Sequence, residues 1–467
     1  MPVVVGVLAF VAYLLLGQQT LYGDAPEFLW RLRAGEFSHR AHLAYLPVLQ
    51  TLRWLCAPLQ LTDFEVARLA SQLGAALGVG FLSAAGRVLG ASRWVAAGAG
   101  LLIASNPSVL FFATTVEVHG PYLAFVGVAW WIGAQLVRDV TPGRAVATGL
   151  ATGTAYLAHA TGVLLAAPIL AVVWLDRRRS VGTGRRAACI AIALAVHAGY
   201  VFGVPRLLAL LGAETTNEYA AKWVRDISKH FFADPSAALP VLWREWFWPF
   251  APVSVAWLVG WWSERSRPWA GALLIALAPY MGLCVALLIP VWEFGAYQQP
   301  LALLAGLCVA QALRPRWVLV CVAIGLLAGV ERIRFEDPAG RTGQYRVGLT
   351  ELASGREPLL LAGGTFDVEA LFVQLPEVDA IVLAAPEFGR ADREPAVLDE
   401  LDRRIEAAWR EGRPVFLSAW AFAFLHDARI HQRHPGIATT QRHLVARYQL
   451  EQRVVGGFAA VELLPRQ

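Results

Sequence analysis

The stretch Pro2 to Gly17, PVVVGVLAFVAYLLLG, is uncharged, and Tyr22-Gly23-Asp24-Ala25-Pro26-Glu27-Phe28 follows it closely. No basic stretch precedes the run and no small-residue cleavage site follows it, so it reads as a retained first membrane span. Asp24 and Glu27 then stand where the chain has just left the lipid. Three residues apart, they share one face of a short helix. Acids at that depth are costly, which makes a functional role the default expectation. The same Asp-x-x-Glu spacing, with Pro in the first turn, is also an ordinary helix start, an N-cap followed by an acid at N3. The two roles are compatible, because a capped carboxylate is also a fixed one.

Composition carries this reading over the whole chain. At 57% hydrophobic and 16% charged residues, with mean hydropathy +0.49, the chain exceeds the roughly 45–50% apolar share of soluble domains. It is expected to be a polytopic α-helical membrane protein. Five cysteines, scattered mostly in apolar runs with no CxxC pair, read as core residues. Residues 1–331 are net +7 and the remainder net −2. A basic excess in a membrane part reflects the positive-inside rule and lipid head groups, so the bilayer is the expected partner and nucleic acid is not.

After the first span, residues 18–64 are too polar to cross and form a large first outer loop, with an in-plane helix at Pro26 to Ala34 and an amphipathic one at Leu46 to Pro58. Spans are then expected at Glu65 to Gly86, Trp94 to Thr114 and Pro121 to Val137. Their basic turns, Arg87/Arg93 and Arg138/Arg144, belong on the cytoplasmic side, leaving Asp24, Glu27, Glu117 and His119 outside. As one helix, residues 144–176 would run about 50 Å against a core of ~30 Å. They are therefore read as a hairpin turning at His159-Ala160-Thr161-Gly162. Further spans follow at Ala187 to Leu211, Leu239 to Trp262, Trp269 to Pro290, Ala296 to Leu313 and Trp317 to Val330. The total is about eleven, with the carboxy terminus outside.

From Arg332 charges reach soluble-protein density. Apolar runs at Pro358 to Ala362, Ala380 to Ala385 and Pro414 to Ser418 alternate with helical patterns at Val368 to Val373 and Pro395 to Glu411, the signature of βαβ units. Residues 332–467 are expected to form a small soluble α/β domain, extracytoplasmic by the topology above. Ala362-Gly363-Gly364-Thr365 lacks the dinucleotide spacing, and His426, His431, His434 and His443 do not share a helix face, so they read as solvated surface rather than a metal tract.

The outer loops hold the candidate chemistry. Loop one offers Asp24, Glu27, Arg31, Arg33, His39, Arg40, His42 and Tyr45; the end of the third span offers Glu117 and His119; His159 sits in the hairpin turn; and Trp292, Glu293 and Tyr297 follow the ninth span. A carboxylate can take the proton of an acceptor hydroxyl while cationic groups stabilise a departing phosphate, the logic of sugar transfer from a lipid phosphate. Arg40, flanked by two histidines, is the better phosphate ligand, because Arg31 lies four residues after Glu27 and fits an ordinary ion pair equally well. The segment Ala220 to Phe232, with Lys222, Arg225 and Lys229, reads as a basic amphipathic helix in the membrane plane.

The order Gly23-Asp24-x-x-Glu27-Phe28, then His39 and His42-Leu43-x-Tyr45-Leu46-Pro47, then Val66-Ala67-Arg68-Leu69, then Val116-Glu117-Val118-His119-x-x-Tyr122 resembles multispanning GT-C glycosyltransferases. Within that class it is most similar to the transmembrane-protein-260-like O-mannosyltransferase family and its bacterial relatives. The resemblance covers residues 1 to about 170 and says nothing of the tail. It implies Asp24 as catalytic base, Glu27 as its structural or acceptor-orienting partner and Glu117 as a second acid near the donor. It also implies a polyprenyl-phosphate-linked sugar donor, a protein or glycan acceptor and inverting transfer, at the outer face of a bacterial inner membrane. His39-Arg40-Ala41-His42 lacks the family's paired prolines, and His119 replaces its Tyr. No cofactor is required; a divalent metal is compatible with convergence of the three acids, though no spacing demands one. Two other classes fit less well: a transporter or lipid-linked-sugar flippase, which would carry ionisable residues mid-span, and a scaffold whose outer domain binds a partner.

Overall fold

Without water to satisfy it, backbone inside a bilayer closes its hydrogen bonds within the segment as helix. Among the described residues the computed structural model follows this rule as far as Phe335, before strands begin. It describes residues 1–18, 21, 24–37, 39, 42–176, 181–211, 240, 243–251, 254, 267–288, 295–312, 314–335, 348–363, 378–383, 388, 394–433, 435–455 and 458–466. The chain divides into two compact units: residues 1–18, 34–61 and 65–336, and residues 19–33, 62–64 and 337–467. Residues 19–33 and 62–64, expected to go with the membrane part, group instead with the carboxy-terminal unit.

The first unit is helical. Helices α1 (Pro2–Leu15), α3 (Tyr45–Leu55), α4 (Asp63–Val88), α5 (Arg93–Ala104), α6 (Pro107–Thr114), α7 (His119–Arg138), α8 (Pro142–Ala158), α9 (Ala166–Leu175), α10 (Thr183–Ala198) and α11 (Val204–Leu210) run to residue 210, with α2 (Ala25–Arg33) belonging to the other unit. Later come α12 (Arg267–Leu288), α13 (Gln299–Ala312) and α14 (Pro315–Phe335). Among the described residues three helices are long and apolar enough to cross a membrane, Asp63–Val88, His119–Arg138 and Thr183–Leu210, or four if the α5–α6 pair is one span. That pair, expected as one straight span, bends by 67°. The cause lies at Asn106-Pro107: proline cannot donate in a helix interior, and the Asn106 side chain accepts from Ser108 N (3.2 Å) to begin a new helix. Residues 142–175 form two helices broken by a 3₁₀ turn at Ala160–Leu164, where the sequence placed the break. Most of the span expected at Leu239 to Trp262, and the segment Ala220 to Phe232, lie outside the described residues.

The α4–α7 crossing sets the site's geometry. An added Cβ would lie 2.4 Å from Pro121 Cα at Gly74, 2.5 Å from the Leu123 carbonyl at Gly78, and 2.6 Å from Ser71 Cα at Gly120. Small residues of this kind let membrane helices approach backbone to backbone. Gly74→Val is therefore expected to separate the helices at a cost of ~2–3 kcal/mol, measured as a lower unfolding temperature in detergent with reduced yield.

The second unit contains a five-stranded sheet, order β2-β1-β3-β5-β4, with β1 (Leu359–Ala362), β2 (Asp379–Val382) and β3 (Val415–Ser418) parallel, and β5 (Phe458–Pro465) antiparallel to both β3 and β4 (Tyr448–Val455). Period-two alternation sends Leu359 and Leu361 to one core and Leu360 and Ala362 to the other. Helices α15 (Glu394–Arg410), α16 (Ala419–His426), α17 (Ala428–Arg433) and α18 (Pro435–Arg447) complete it. The three parallel strands and α15 fall where the apolar runs predicted; Val368 to Val373 lies outside the described residues. Trp30 of α2 packs against the core that holds Leu359, Leu401 and Leu425, and Arg33 pairs with Asp63 at 3.3 Å.

Candidate active site

In the first unit, four histidines from three separate segments meet in one buried run. His39 and His42 leave the first loop just before α3; their rings stack at 5.3 Å between centroids and 4° between planes. His42 stacks on His159 at 4.9 Å, and His159 lies 4.7 Å from His119. Tyr122 and Tyr297 close the group, at 5.0 and 5.6 Å from His159. The four histidines are each less than 9% exposed.

Each ring is delivered by local structure. Hydrogen bonds from His42 N to His39 O (3.2 Å), Tyr45 N to His42 O (3.1 Å) and Ala44 N to Leu157 O (2.8 Å) tie the first loop to the end of α8. His159 ends α8 in extended conformation, and its Nδ1 accepts from Thr161 N at 3.2 Å. The neutral ring therefore carries its proton on Nε2. Thr161 extends the network, its Oγ1 2.7 Å from His159 Nδ1 and 3.3 Å from the Tyr122 hydroxyl. His119 begins α7 beside the glycine crossing. Its Nδ1 is buried with no hydrogen-bond partner among the described residues, an expensive state that a polar ligand would relieve.

Glu117 is 4% exposed. Its Oε2 accepts from Val118 N at 2.8 Å, and its main chain both donates to and accepts from Ser71 Oγ of α4. Burial and then the Glu117 carboxylate push the Tyr45 phenol well above its ordinary pKa, so Glu117 and Tyr45 share one electrostatic environment. This ground offers imidazole and hydroxyl donors to an anion, and one carboxylate.

Asp24 and Glu27 belong to the second unit. Asp24 is exposed at the start of α2, its carbonyl accepting from Phe28 N at 3.1 Å. Glu27 Oε1 lies 2.9 Å from Arg31 Nη2, so the ordinary i,i+4 pair forms. Arg40 and Glu293 lie outside the described residues, as does His434. The other tail histidines are engaged separately: His426 with Phe422 O, His431 with Leu425 O, and His443 with Asp402 Oδ1 at 2.9 Å. No group of three or more His, Cys, Asp or Glu among the described residues is arranged to hold a metal ion. Cys56, Cys189, Cys308 and Cys321 are free thiols.

Sequence reasoning missed Thr161 and Tyr280, whose hydroxyl donates to the Thr161 carbonyl at 3.4 Å, and Glu245, which is 0% exposed. A charged pair, Arg244-Glu245, inside the aromatic run WREWFWPF was the available signal. Two apolar cavities lie along α4, one of about 410 Å³ against α1 and one of about 490 Å³ against α3 and α7. Leu73 and Leu77 line both.

No family model matches the chain, and no curated protein sequence does. Solved structures do. The crystal structure of ArnT from Cupriavidus metallidurans bound to undecaprenyl phosphate superposes with TM-score 0.61 at 16% identity, covering 100% of this chain and 98% of that one. The apo structure of the same protein gives 0.57 at 16% identity, covering 100% and 99%. The chain therefore shares the fold of these ArnT structures along its whole length.

Proposed function

We propose that this chain is a membrane glycosyltransferase that moves a sugar from a polyprenyl-phosphate donor to a hydroxyl of a protein or glycan. The observation that carries the reading is the convergence of His39, His42, His119 and His159 on buried ground, with the half-buried Tyr297 against them, within a chain of this fold. In the reaction the acceptor oxygen bonds to the anomeric carbon from the face opposite the leaving group, with inversion. The bond from that carbon to the phosphate oxygen breaks, and the phosphate takes the electron pair and stays on its lipid.

Asp24 takes the acceptor proton, with Glu27 as its orienting partner. The histidine cluster, with Arg40, Tyr45 and Tyr297, receives the phosphate, and Glu117 stands as the second acid near the donor. Glu293 is assigned to substrate binding. The orientation that goes with this reading has about eleven spans and the α/β unit on the outer side of a bacterial inner membrane. The O-mannosyl-type resemblance of the first loop supports a hydroxyl acceptor.

The direct test is release of polyprenyl phosphate, with transfer of labelled sugar, by the purified protein in lipid nanodiscs. Absence of both with every polyprenyl-phosphate sugar offered would sink the reading. The donor's isoprenoid tail is assigned to the apolar cavities beside α4. Leu77→Trp is expected to fill their shared wall and raise KM for a long-chain donor about tenfold, with little change for a water-soluble short-chain analogue.

A further inference from the structure

We propose that Glu245 is a positioning residue that holds Tyr297 against His119 and His159; the proposal rests on reading that cluster as the transfer site. Glu245 lies on a five-residue π-helical turn, Trp243–Phe247, and is fully buried. A carboxylate withdrawn from water in a membrane protein is retained only where it is paired and put to use. Its Oε1 accepts from Arg244 Nε at 3.2 Å, and its Oε2 accepts from Gly295 N at 2.8 Å.

Gly295 adopts φ +79°, the left-handed region that side chains disfavour. A Cβ there would lie 2.6 Å from Phe250 Cε2 and 2.9 Å from the Glu245 carbonyl oxygen, so the turn lies flush on residues 245–250. Gly295 O then accepts from Gln298 N at 3.0 Å, closing the 3₁₀ turn Ala296–Gln298 with Tyr297 at its centre. Downstream, Gln299 Nε2 reaches Ser108 Oγ at 3.3 Å. Held from both sides, Tyr297 presents its ring 5.6 Å from His119, perpendicular to it, and 5.6 Å from His159. Removing Glu245 leaves the Gly295 N–H buried without its acceptor and releases the turn that carries Tyr297.

The test uses the full chain in nanodiscs with 3-fluorotyrosine at position 297, so that ring placement is read apart from activity. Glu245→Ala is expected to move the fluorine resonance and lower kcat about ten- to hundredfold, the cost of a misplacement near 1 Å. Glu245→Gln, which keeps an acceptor for Gly295 N, is expected to restore both. In a double-mutant cycle the losses from Glu245→Ala and Tyr297→Ala should be strongly non-additive. Where Glu245→Ala fails to fold, Gly295→Ala breaks the same contact from the other side and should move the same resonance. A resonance unmoved by both variants, or losses that simply add, overturns the positioning role. A resonance that moves while Asp24→Asn and His159→Ala leave transfer intact overturns the transfer-site reading and leaves the geometry standing.

Discussion

Asp24→Asn is expected to lower turnover by about 10²–10⁴-fold, the usual contribution of a positioned general base, while leaving the protein folded. The side chain is exposed, and substitutions of exposed residues ordinarily change stability by no more than about 0.5 kcal/mol. Asn keeps the shape and one carbonyl oxygen, so the helix start before Phe28 survives while the capacity to take a proton is lost. Single-turnover transfer, measured beside the unfolding temperature, separates the two. If Asp24 serves only to begin α2, the Asn variant will turn over at the normal rate, because Asn caps helices as well as Asp does.

The second large effect is expected at His159. Its ring touches those of His42, His119, Tyr122 and Tyr297, so it lies at the centre of the buried cluster rather than at its edge. Removing one fixed donor from a site where negative charge develops typically costs ~10²–10³-fold in rate. His159→Ala should therefore reduce kcat/KM on that order and also weaken binding of the product, polyprenyl phosphate. Asp24→Asn should leave product binding nearly unchanged, since the proposed function sets Asp24 against the acceptor rather than the phosphate. Titrating the two variants with polyprenyl phosphate distinguishes the assignments: equal affinity in His159→Ala and the unmodified protein removes the cluster from the phosphate site.

Much of the architecture was legible because it follows from local rules. The strands Leu359–Ala362, Asp379–Val382 and Val415–Ser418 were marked by short apolar runs bounded by turn residues, and the break at His159 followed from a helix too long for the membrane. The hairpin of β4 and β5 went unread, although Gly456-Gly457 between alternating strands is a recognised hairpin signal. The bend at Asn106-Pro107 was equally visible as a proline inside a helical pattern. It was passed over because hydropathy averaged across it.

By itself, the sequence determined the two kinds of structure among the described residues, helices through Phe335 and an α/β unit with strands at the short apolar runs beyond, since backbone in lipid must satisfy itself and short apolar runs bounded by turn residues lie as strands. It also named the histidines of the cluster and Tyr297, though not Thr161, Tyr280 or Glu245. Only the tertiary structure decided their company. His39, His42, His119, His159 and Tyr297 meet through contacts between segments up to some 260 residues apart, which no local rule encodes. The helix of Asp24 and Glu27 groups with the α/β unit, its Trp30 packed on that unit's core. An apolar face states that a helix must be covered; what covers it is settled by shape and packing across the whole fold.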